Sequence, residues 1–290
     1  MTSTHPTSAD LASTWRFRPA DHPDILPVRT FNDNYVWMIR LQGPHGRQAL
    51  VVDPGDGGPV IDALSRAGLP LAGILVTHHH ADHTGGIAAL KAAFPEAVVH
   101  GPQQCRNPLI DRRYRHGETL ALPELGFEAR VIDVPGHTLD HNAYFCRQVG
   151  ADPRPVVFCG DTLFAAGCGR LFEGTAPVMF QSLARLMALP ADTLVYCAHE
   201  YTLSKQRFAR AGEPACEPLA ARIAEAVAIR REDRESVPSS LAIERDTNPF
   251  LRAGEPGVAA NAAAFDGALD RADPVAVFAA LRRWKDEFRG

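Results

Sequence analysis

The sequence has no long hydrophobic run and little charge of one sign in excess. No apolar run approaches the roughly 20 residues that a membrane helix needs. The formal net charge is −4, too small to indicate nucleic acid or an anionic membrane as the main partner. Residues 1–24 are polar and lack the basic start and apolar core of a secretory signal. We therefore expect a flexible N-terminal extension there and no membrane or nucleic-acid partner.

Closely spaced cysteine pairs are also lacking. The six cysteines are scattered, without the paired spacing of a structural zinc site. Three of them lie in or beside apolar, strand-like runs, which favours buried, reduced thiols over a disulfide framework. The expected compartment is therefore the cytoplasm. The six residues are Cys105, Cys146, Cys159, Cys168, Cys197 and Cys216.

What is present is an ordinary globular composition with a change of character along the chain. The 290 residues, 22% of them charged, suffice for one large domain or for one domain and a smaller one. Strand-like runs stop near residue 200, and helical patterns rich in Ala, Arg and Glu follow. We predict an α/β domain at 25–200 and a C-terminal α-helical domain at 201–290.

A cluster of four histidines and one aspartate is the main motif of the sequence. It occupies Thr77 to Gly86, directly after the apolar run 73–76 and before a helical pattern that starts at Ile87. The run is typical of a buried strand. The cluster is therefore expected on a loop at the carboxyl end of a strand, where open α/β sheets usually place their sites.

The spacing within this cluster favours a metal site. His78 and His80 are two residues apart, so they point the same way in an extended segment. Asp82 and His83 follow after the chain has begun to turn and can face a second point nearby. Imidazole and carboxylate donors suit zinc, iron or manganese, bound singly or as the start of a pair. The alternative is a solvated, tag-like histidine run, but this run is internal and contains an aspartate.

Other strand ends carry further polar residues. His137 follows Pro-Gly at the end of a strand and is placed to point back at the same site. Asp161 also follows a buried strand, although an aspartate there could merely cap a turn. For Asp53 we favour a supporting role, in which it accepts hydrogen bonds from backbone amides or orients a histidine. His100 is interpreted as a hydrogen-bonded core or edge histidine.

Several motifs together resemble one protein family. His-x-His-x-Asp-His resembles the signature of the metallo-β-lactamase fold superfamily. Asn34-Tyr35, Gly160-Asp161-Thr162-Leu163-Phe164 and Arg282-Arg283-Trp284-Lys285-Asp286 are similar to segments of glyoxalase II, the hydroxyacylglutathione hydrolases. The resemblance spans about residues 25 to 290. It implies a four-layer αββα metallo-β-lactamase sandwich with a C-terminal helical domain that binds glutathione.

The resemblance also implies a dinuclear metal site. The first metal would be held by His78, His80 and His137, and the second by Asp82, His83 and His199. Asp161 would bridge the two, which makes Asp82 and Asp161 the implied catalytic carboxylates. Two divalent ions are expected, zinc first, with iron or manganese also suited to these donors. His141 would have a supporting role.

Glutathione would be held by a second set of residues. By the resemblance these are Arg170, Phe172, Tyr201, Arg282 and Lys285. Relatives often carry tyrosine where Phe172 stands, so the hydroxyl contact of that tyrosine is missing here. Most relatives also have glycine where Asp140 stands. The alternative for the basic residues of the last helix is that they only oppose its dipole.

The implied function is hydrolysis of S-(2-hydroxyacyl)glutathione thioesters, chiefly S-(R)-lactoylglutathione, by a hydroxide that bridges the metals. The products are D-lactate and glutathione, as in methylglyoxal detoxification, and we expect a monomer. Another hydrolase of the fold would have no reason to keep Arg170, Arg282 and Lys285. A persulfide dioxygenase with three ligands would leave Asp82, His83 and His199 unexplained. A non-catalytic scaffold would show eroded ligands.

Overall fold

The computed structural model describes residues 22–290. The flexible extension predicted at 1–24 therefore lies mostly outside the described residues. Where the described part begins, His22 is buried, and the N–H of Arg40 donates to the carbonyl of Asp24 (2.7 Å). The packed part of the chain thus starts slightly before the predicted domain boundary at residue 25.

A first six-stranded sheet contains the N-terminal strands in sequence order. Its first three strands are antiparallel and its last three run parallel to the third, with Val51 opposite Ile74, for example. The strands are β1 (Ile25–Thr30), β2 (Asn34–Gly43), β3 (Gly46–Val52), β4 (Leu71–Leu75), β5 (Val98–Pro102) and β6 (Arg112–Tyr114).

A second six-stranded sheet has the order β14-β13-β10-β9-β8-β7. A short hairpin of β11 (Leu163–Phe164) and β12 (Gly167–Cys168) follows β10. The strands of the second sheet are β7 (Thr119–Leu122), β8 (Phe127–Asp133), β9 (Asn142–Cys146), β10 (Val156–Gly160), β13 (Leu194–Cys197) and β14 (Ser239–Ser240).

Three of the described α-helices have a side-chain cap at the N-terminus, from Asp56, Ser240 and Asp273. The first is capped by Asp56, whose carboxylate accepts from the N–H of Gly58 (3.0 Å), and it ends at Gly68 in the left-handed region. In the described chain the α-helices are α1 (Gly57–Ala67), α2 (Ala81–Thr84), α3 (Ile87–Ala93), α4 (Ala176–Met187), α5 (Thr202–Gly212), α6 (Glu217–Arg231), α7 (Leu241–Thr247), α8 (Pro256–Phe265) and α9 (Pro274–Glu287).

The core has two main parts, and together they define the layers. One cluster joins the outer face of the first sheet to α1 and α3, through Val51, Leu64 and Leu90 among others. The larger cluster lies between the sheets and continues under α4 and the C-terminal helices. This arrangement confirms the predicted α/β sandwich of two sheets with helices and a helical region after it.

The C-terminal region is helical except for one strand. Ser239 and Ser240 form β14 and pair with Val195 and Leu194 of the second sheet, although strand-like runs were predicted to stop near residue 200. The last helix begins after Asp273, whose carboxylate accepts from the N–H of Val275 (2.8 Å). Within residues 22–290 no helix combines the length and the apolar character that crossing a membrane requires.

Candidate active site

Seven side chains named from the sequence meet at one edge of the two sheets. They come from loops at the ends of β4, β8, β10 and β13, and from the single helical turn α2, which the sequence did not predict as a helix. In this turn the chain leaves the direction of β4, which brings Asp82 and His83 near His199 while the ring of His83 stays 4.1 Å from that of His78. The seven are His78, His80, Asp82, His83, His137, Asp161 and His199.

Three imidazoles form a first group. His80 Nδ1 lies 3.1 Å from His78 Nε2 and 3.1 Å from His137 Nε2. His78 and His137 are buried, whereas His80 is partly exposed. Three nitrogens that converge in this way are a donor set for one cation.

Asp82, His83 and His199 form a second group. Asp82 Oδ2 lies 3.4 Å from His83 Nε2 and 3.5 Å from His199 Nε2. The amide of Asn34 donates to the same oxygen at 3.1 Å. The mixed set of imidazole and carboxylate is the second candidate cation site.

Asp161 lies between the two groups. Its Oδ2 is 3.4 Å from His137 Nε2, while its Oδ1 is 3.3 Å from His199 Nε2 and 3.5 Å from His83 Nε2. One carboxylate therefore faces both groups, one oxygen to each. This is the geometry expected of the bridging role that the family resemblance implied.

The glycine before Asp161 permits this approach. Gly160 has φ +47°, and a Cβ there would stand 2.4 Å from Thr77 Oγ1 and 2.8 Å from the ring of His141. A residue with a side chain would collide with the histidine motif. Strand β10 can thus end directly against the loop that carries His78.

Two buried atoms of the site have no hydrogen-bond partner. They are His83 Nε2 and Asp161 Oδ1, which lie 3.5 Å apart. Buried polar atoms are nearly always paired, so unpaired ones need an explanation. An imidazole nitrogen and a carboxylate oxygen that both point into one shared space fit divalent cations as their partners.

Acceptors behind the histidines fix the ring orientations. His83 Nδ1 lies 3.1 Å from Asp53 Oδ2, and Asp53 also accepts from the N–H and hydroxyl of Thr77 at 2.7 Å each. His199 Nδ1 lies 2.9 Å from Asp33 Oδ1. A partner on Nδ1 directs Nε2 into the site. The supporting role predicted for Asp53 is confirmed, whereas the role of Asp33 was missed.

The first and second donor groups also differ in charge. Burial lowers the pKa of His78 and of His137, which keeps both rings neutral. Burial would also lower the pKa of His83, but the carboxylates of Asp161 and Asp53 outweigh it and raise that pKa. A hydrogen bond from His83 lowers the pKa of Asp82. The site therefore presents neutral imidazoles on one side and an ionised carboxylate on the other at neutral pH.

Two other histidines have the structural roles predicted for them. His141 Nδ1 lies 3.0 Å from the carbonyl of Asn142, and its Nε2 accepts from the N–H of Asp161 at 3.1 Å. His141 thus positions Asp161. His100 is buried and hydrogen-bonded, with Nδ1 3.0 Å from the hydroxyl of Tyr114.

Two aromatic rings border the metal-binding residues. Phe172 is 59% exposed and meets the rings of His80 and His137 edge-on, with centroids 5.6 and 5.2 Å away. Tyr201 stacks on His199 at 4.6 Å and nearly parallel. Arg170 is exposed, with its guanidinium 5.9 Å from the centroid of the Phe172 ring. The structure thus places these three predicted substrate residues around the mouth of the site.

Two basic residues of the last helix, Arg282 and Lys285, lie deeper, whereas Arg283 is exposed. Arg282 is buried and donates to the carbonyls of Cys168 and Gly169 at 3.3 Å and to Asp286 at 2.9 Å. Lys285 lies with its ammonium 5.9 Å from the ring of Phe208.

Lys205 was not singled out from the sequence, yet it shares this region. Its ammonium donates to the carbonyl of Cys168 at 2.7 Å and lies 4.8 Å from the Phe164 ring. Burial lowers the pKa of Lys205 to about 8. A lysine in a helix of ordinary composition gave no signal in the sequence, because its position depends on how α5 packs on β12.

The fold and site place the chain in the metallo-beta-lactamase superfamily, whose family model matches residues 29–199. A solved structure with this fold, ETHE1 from Myxococcus xanthus, superposes with a TM-score of 0.55 at 25% identity, and the match covers 89% of this chain and 98% of that one.

Within the superfamily the chain belongs to the hydroxyacylglutathione hydrolase family. The family model described as "Hydroxyacylglutathione hydrolase C-terminus" matches residues 200–288. A hydroxyacylglutathione hydrolase of Albidiferax ferrireducens is 50% identical over 91% of this chain and 99% of its own length. One from Cupriavidus taiwanensis is 48% identical over the same shares of the two chains.

Proposed function

We propose that the chain hydrolyses S-(2-hydroxyacyl)glutathione thioesters, chiefly S-(R)-lactoylglutathione, to the hydroxy acid and glutathione. The observation that carries this proposal is the position of Asp161, one oxygen of which faces each of two donor groups. The membership of the chain in the hydroxyacylglutathione hydrolase family supplies the substrate class.

We assign the two donor groups to two divalent cations, for which zinc fits the mixed nitrogen and oxygen donors and iron or manganese are alternatives. His78, His80 and His137 would hold one ion, and Asp82, His83 and His199 the other, with Asp161 between them. When bound, such a pair lowers the pKa of a shared water to near neutrality and polarises the thioester carbonyl.

The protein contributes orientation and charge. Asp53 and Asp33 hold His83 and His199 so that each Nε2 faces the site. The ionised Asp82 and Asp161 supply the negative charge that a pair of dications requires. The leaving group is the thiolate of glutathione, whose parent thiol has a pKa near 8.5, so the reaction needs no strong general acid.

Glutathione recognition is assigned to the mouth of the site. Arg170 and Lys285 offer cations for the carboxylates of the tripeptide, and Phe172 and Tyr201 offer flat apolar surfaces. Arg282 contributes by holding the backbone at Cys168 and Gly169, the start of the loop that carries Arg170 and Phe172.

We infer a cytoplasmic monomer. All six cysteines are free and buried, which suits a reducing compartment. The exposed large apolar side chains of the described residues are four single ones rather than a broad patch, as is usual for monomers.

The first experiment compares two thioesters of one acyl group. Protein with about two metal ions per chain should hydrolyse S-(R)-lactoylglutathione with a kcat/KM roughly 100-fold above that for lactoyl-coenzyme A, because the second lacks the tripeptide. A fully metallated protein that cleaves neither thioester would overturn the proposal.

Variants separate recognition from chemistry. Lys285→Gln should raise KM for the glutathione thioester roughly tenfold, since a charge-assisted contact is lost. The matched control is Arg283→Gln, next in the chain and paired with Asp266 away from the site, which should leave KM unchanged. His83→Ala should lower both kcat and the metal content measured on the same sample.

A further inference from the structure

One exposed aromatic residue near the site has no part in the proposed function. Among the described residues, the large apolar side chains that are exposed are Phe31, Leu109, Leu139 and Phe172. Leu139 and Phe172 lie on the loops that carry His137 and Arg170. Phe31 is the most exposed of the four, at 60%, and lies in the turn between β1 and β2.

The turn of Phe31 is part of the site. Asp33 contacts His199, and Asn34 donates to the side chain of Asp82. The ring of Phe31 also lies close to the backbone of Asp82. A Cβ built on Gly55 would stand 2.8 Å from Phe31 Cε2 and 1.9 Å from the carbonyl oxygen of Asp82. The ring therefore lies beside the second donor group.

The backbone of Phe31 is in an unfavourable conformation. Its φ is +50°, in the left-handed region that bulky residues with a Cβ rarely adopt. Because the ring is mostly exposed, its packing against the rest of the chain does little to offset this strain. Strained residues of this kind concentrate where a ligand is held.

Phe31 and Phe172 stand at different ends of the metal-binding residues. Phe172 contacts rings of the first donor group, and Phe31 lies beside the second. Phe172 is accompanied by the cation of Arg170. The turn of Phe31 instead carries Asp33, whose charge disfavours the carboxylates of glutathione.

We propose that the ring of Phe31 is the wall against which the acyl side chain of the substrate packs. It follows that the turnover of 2-hydroxyacyl groups with a larger apolar side chain depends on Phe31 more than the turnover of lactoyl does. This inference rests on the proposed hydrolysis of glutathione thioesters, and it makes Phe31 a residue that determines acyl specificity.

The test uses glutathione thioesters of three 2-hydroxy acids, with methyl, isobutyl and phenyl side chains. Wild-type protein should hydrolyse all three. Phe31→Ala should lower kcat/KM for the phenyl substrate roughly tenfold, the scale of one apolar contact, and that for lactoyl less than about twofold. The Kd of free glutathione should not change, and Phe31→Leu should recover part of the loss.

Two further variants serve as controls. Phe31→Gly removes the ring and accepts the positive φ, so it should show the same selective loss on the phenyl substrate together with an unchanged or raised thermal midpoint. Leu109→Ala removes an exposed apolar side chain from the loop between β5 and β6 and should leave all three substrates unaffected.

The failures of the two proposals are distinguishable. The wild type could hydrolyse all three thioesters while Phe31→Ala and Phe31→Gly reduce kcat/KM for all three by one common factor or not at all. In that case the proposed role of Phe31 is wrong and the proposed function stands. A higher Kd for free glutathione in these variants would also overturn it, because Phe31 would then contact the tripeptide. If the wild type hydrolyses none of them, both proposals fall.

Discussion

His100 shows how a single buried side chain ties stability to pH. The ring is 1% exposed, contacts the hydroxyl of Tyr114 through Nδ1, and leaves Nε2 without a partner. Burial, with a smaller contribution from Arg112, lowers the pKa of His100 to about 4. The folded protein therefore keeps this histidine neutral at pH values where the unfolded chain, with a pKa near 6.5, is protonated.

From this we predict that His100 destabilises the fold in mild acid. Because the folded pKa is below the unfolded one, its effect is absent well above pH 6.5 and grows as pH falls toward 4. Between pH 7 and pH 5 the free energy of unfolding should drop by about 2 kcal/mol through this residue. Urea unfolding of wild type and His100→Gln at both pH values measures this drop. An equal drop in the variant would contradict the assignment.

Among single residues, the sequence predicted the candidate metal ligands better than the residues that hold those ligands in place. Four of the seven candidate ligands lie in one dense motif, and the other three follow strand ends, where the family resemblance identified them as ligands. The role of Asp33 was not predicted, because Asp33 contacts His199 from 166 positions away. No local sequence pattern indicates that contact. The burial of Arg282 was not predicted either, because the carbonyls to which it donates lie at a hairpin that is distant in sequence.

Among the elements, the hairpin of β11 and β12 depends most on side chains from elsewhere. Asn248, fully buried, donates to the carbonyls of Gly167 (2.9 Å) and Phe164 (3.3 Å). Glu244 of α7 accepts from the N–H of Ala166 at 2.8 Å. The turn between the two strands is therefore held by the C-terminal region.

Asn248→Ala should lower the free energy of unfolding by about 2–3 kcal/mol, because buried carbonyls of the hairpin lose their partner. It should also raise KM, since the hairpin leads into the loop of Arg170. Asn261→Ala is the control, as Asn261 makes a single bond to the carbonyl of Gly212 (3.1 Å) at a less buried position. Chemical denaturation should show a smaller loss of the free energy of unfolding in Asn261→Ala than in Asn248→Ala. Equal losses would mean that the hairpin contacts are not special.

Long periodic elements were predicted closely, and the shortest ones were not. The helical pattern predicted from Ile87 begins there as α3, and the change to helices near residue 200 is confirmed. The single turn α2 and the two-residue strand β14 were missed. Neither has enough residues for a period, so tertiary contacts decide their conformation.

At the scale of the whole molecule, the helical region completes the second sheet. β14 pairs with Leu194 and Val195 of β13, whose other edge pairs with β10. Phe278 of the last helix also contacts Phe180 of α4, with centroids 5.8 Å apart. The regions before and after residue 200 therefore share one core.

A chain that stops at residue 200 should consequently be insoluble or aggregate on purification. Its strand β13 would become an unpaired, apolar edge, which is a template for association, and the apolar face of α4 would be exposed. Size-exclusion chromatography of the truncated and full-length chains compares them directly. A monomeric truncated chain that still binds metal would show that the first region folds alone.

The burial of the cysteines has a consequence for the chemical durability of the protein. Burial raises the pKa of all six thiols, and the thiolate is the form that attacks electrophiles and oxidants. The protein therefore offers almost no nucleophilic sulfur to its surroundings. The same burial protects the protein against alkylation by reactive carbonyl compounds.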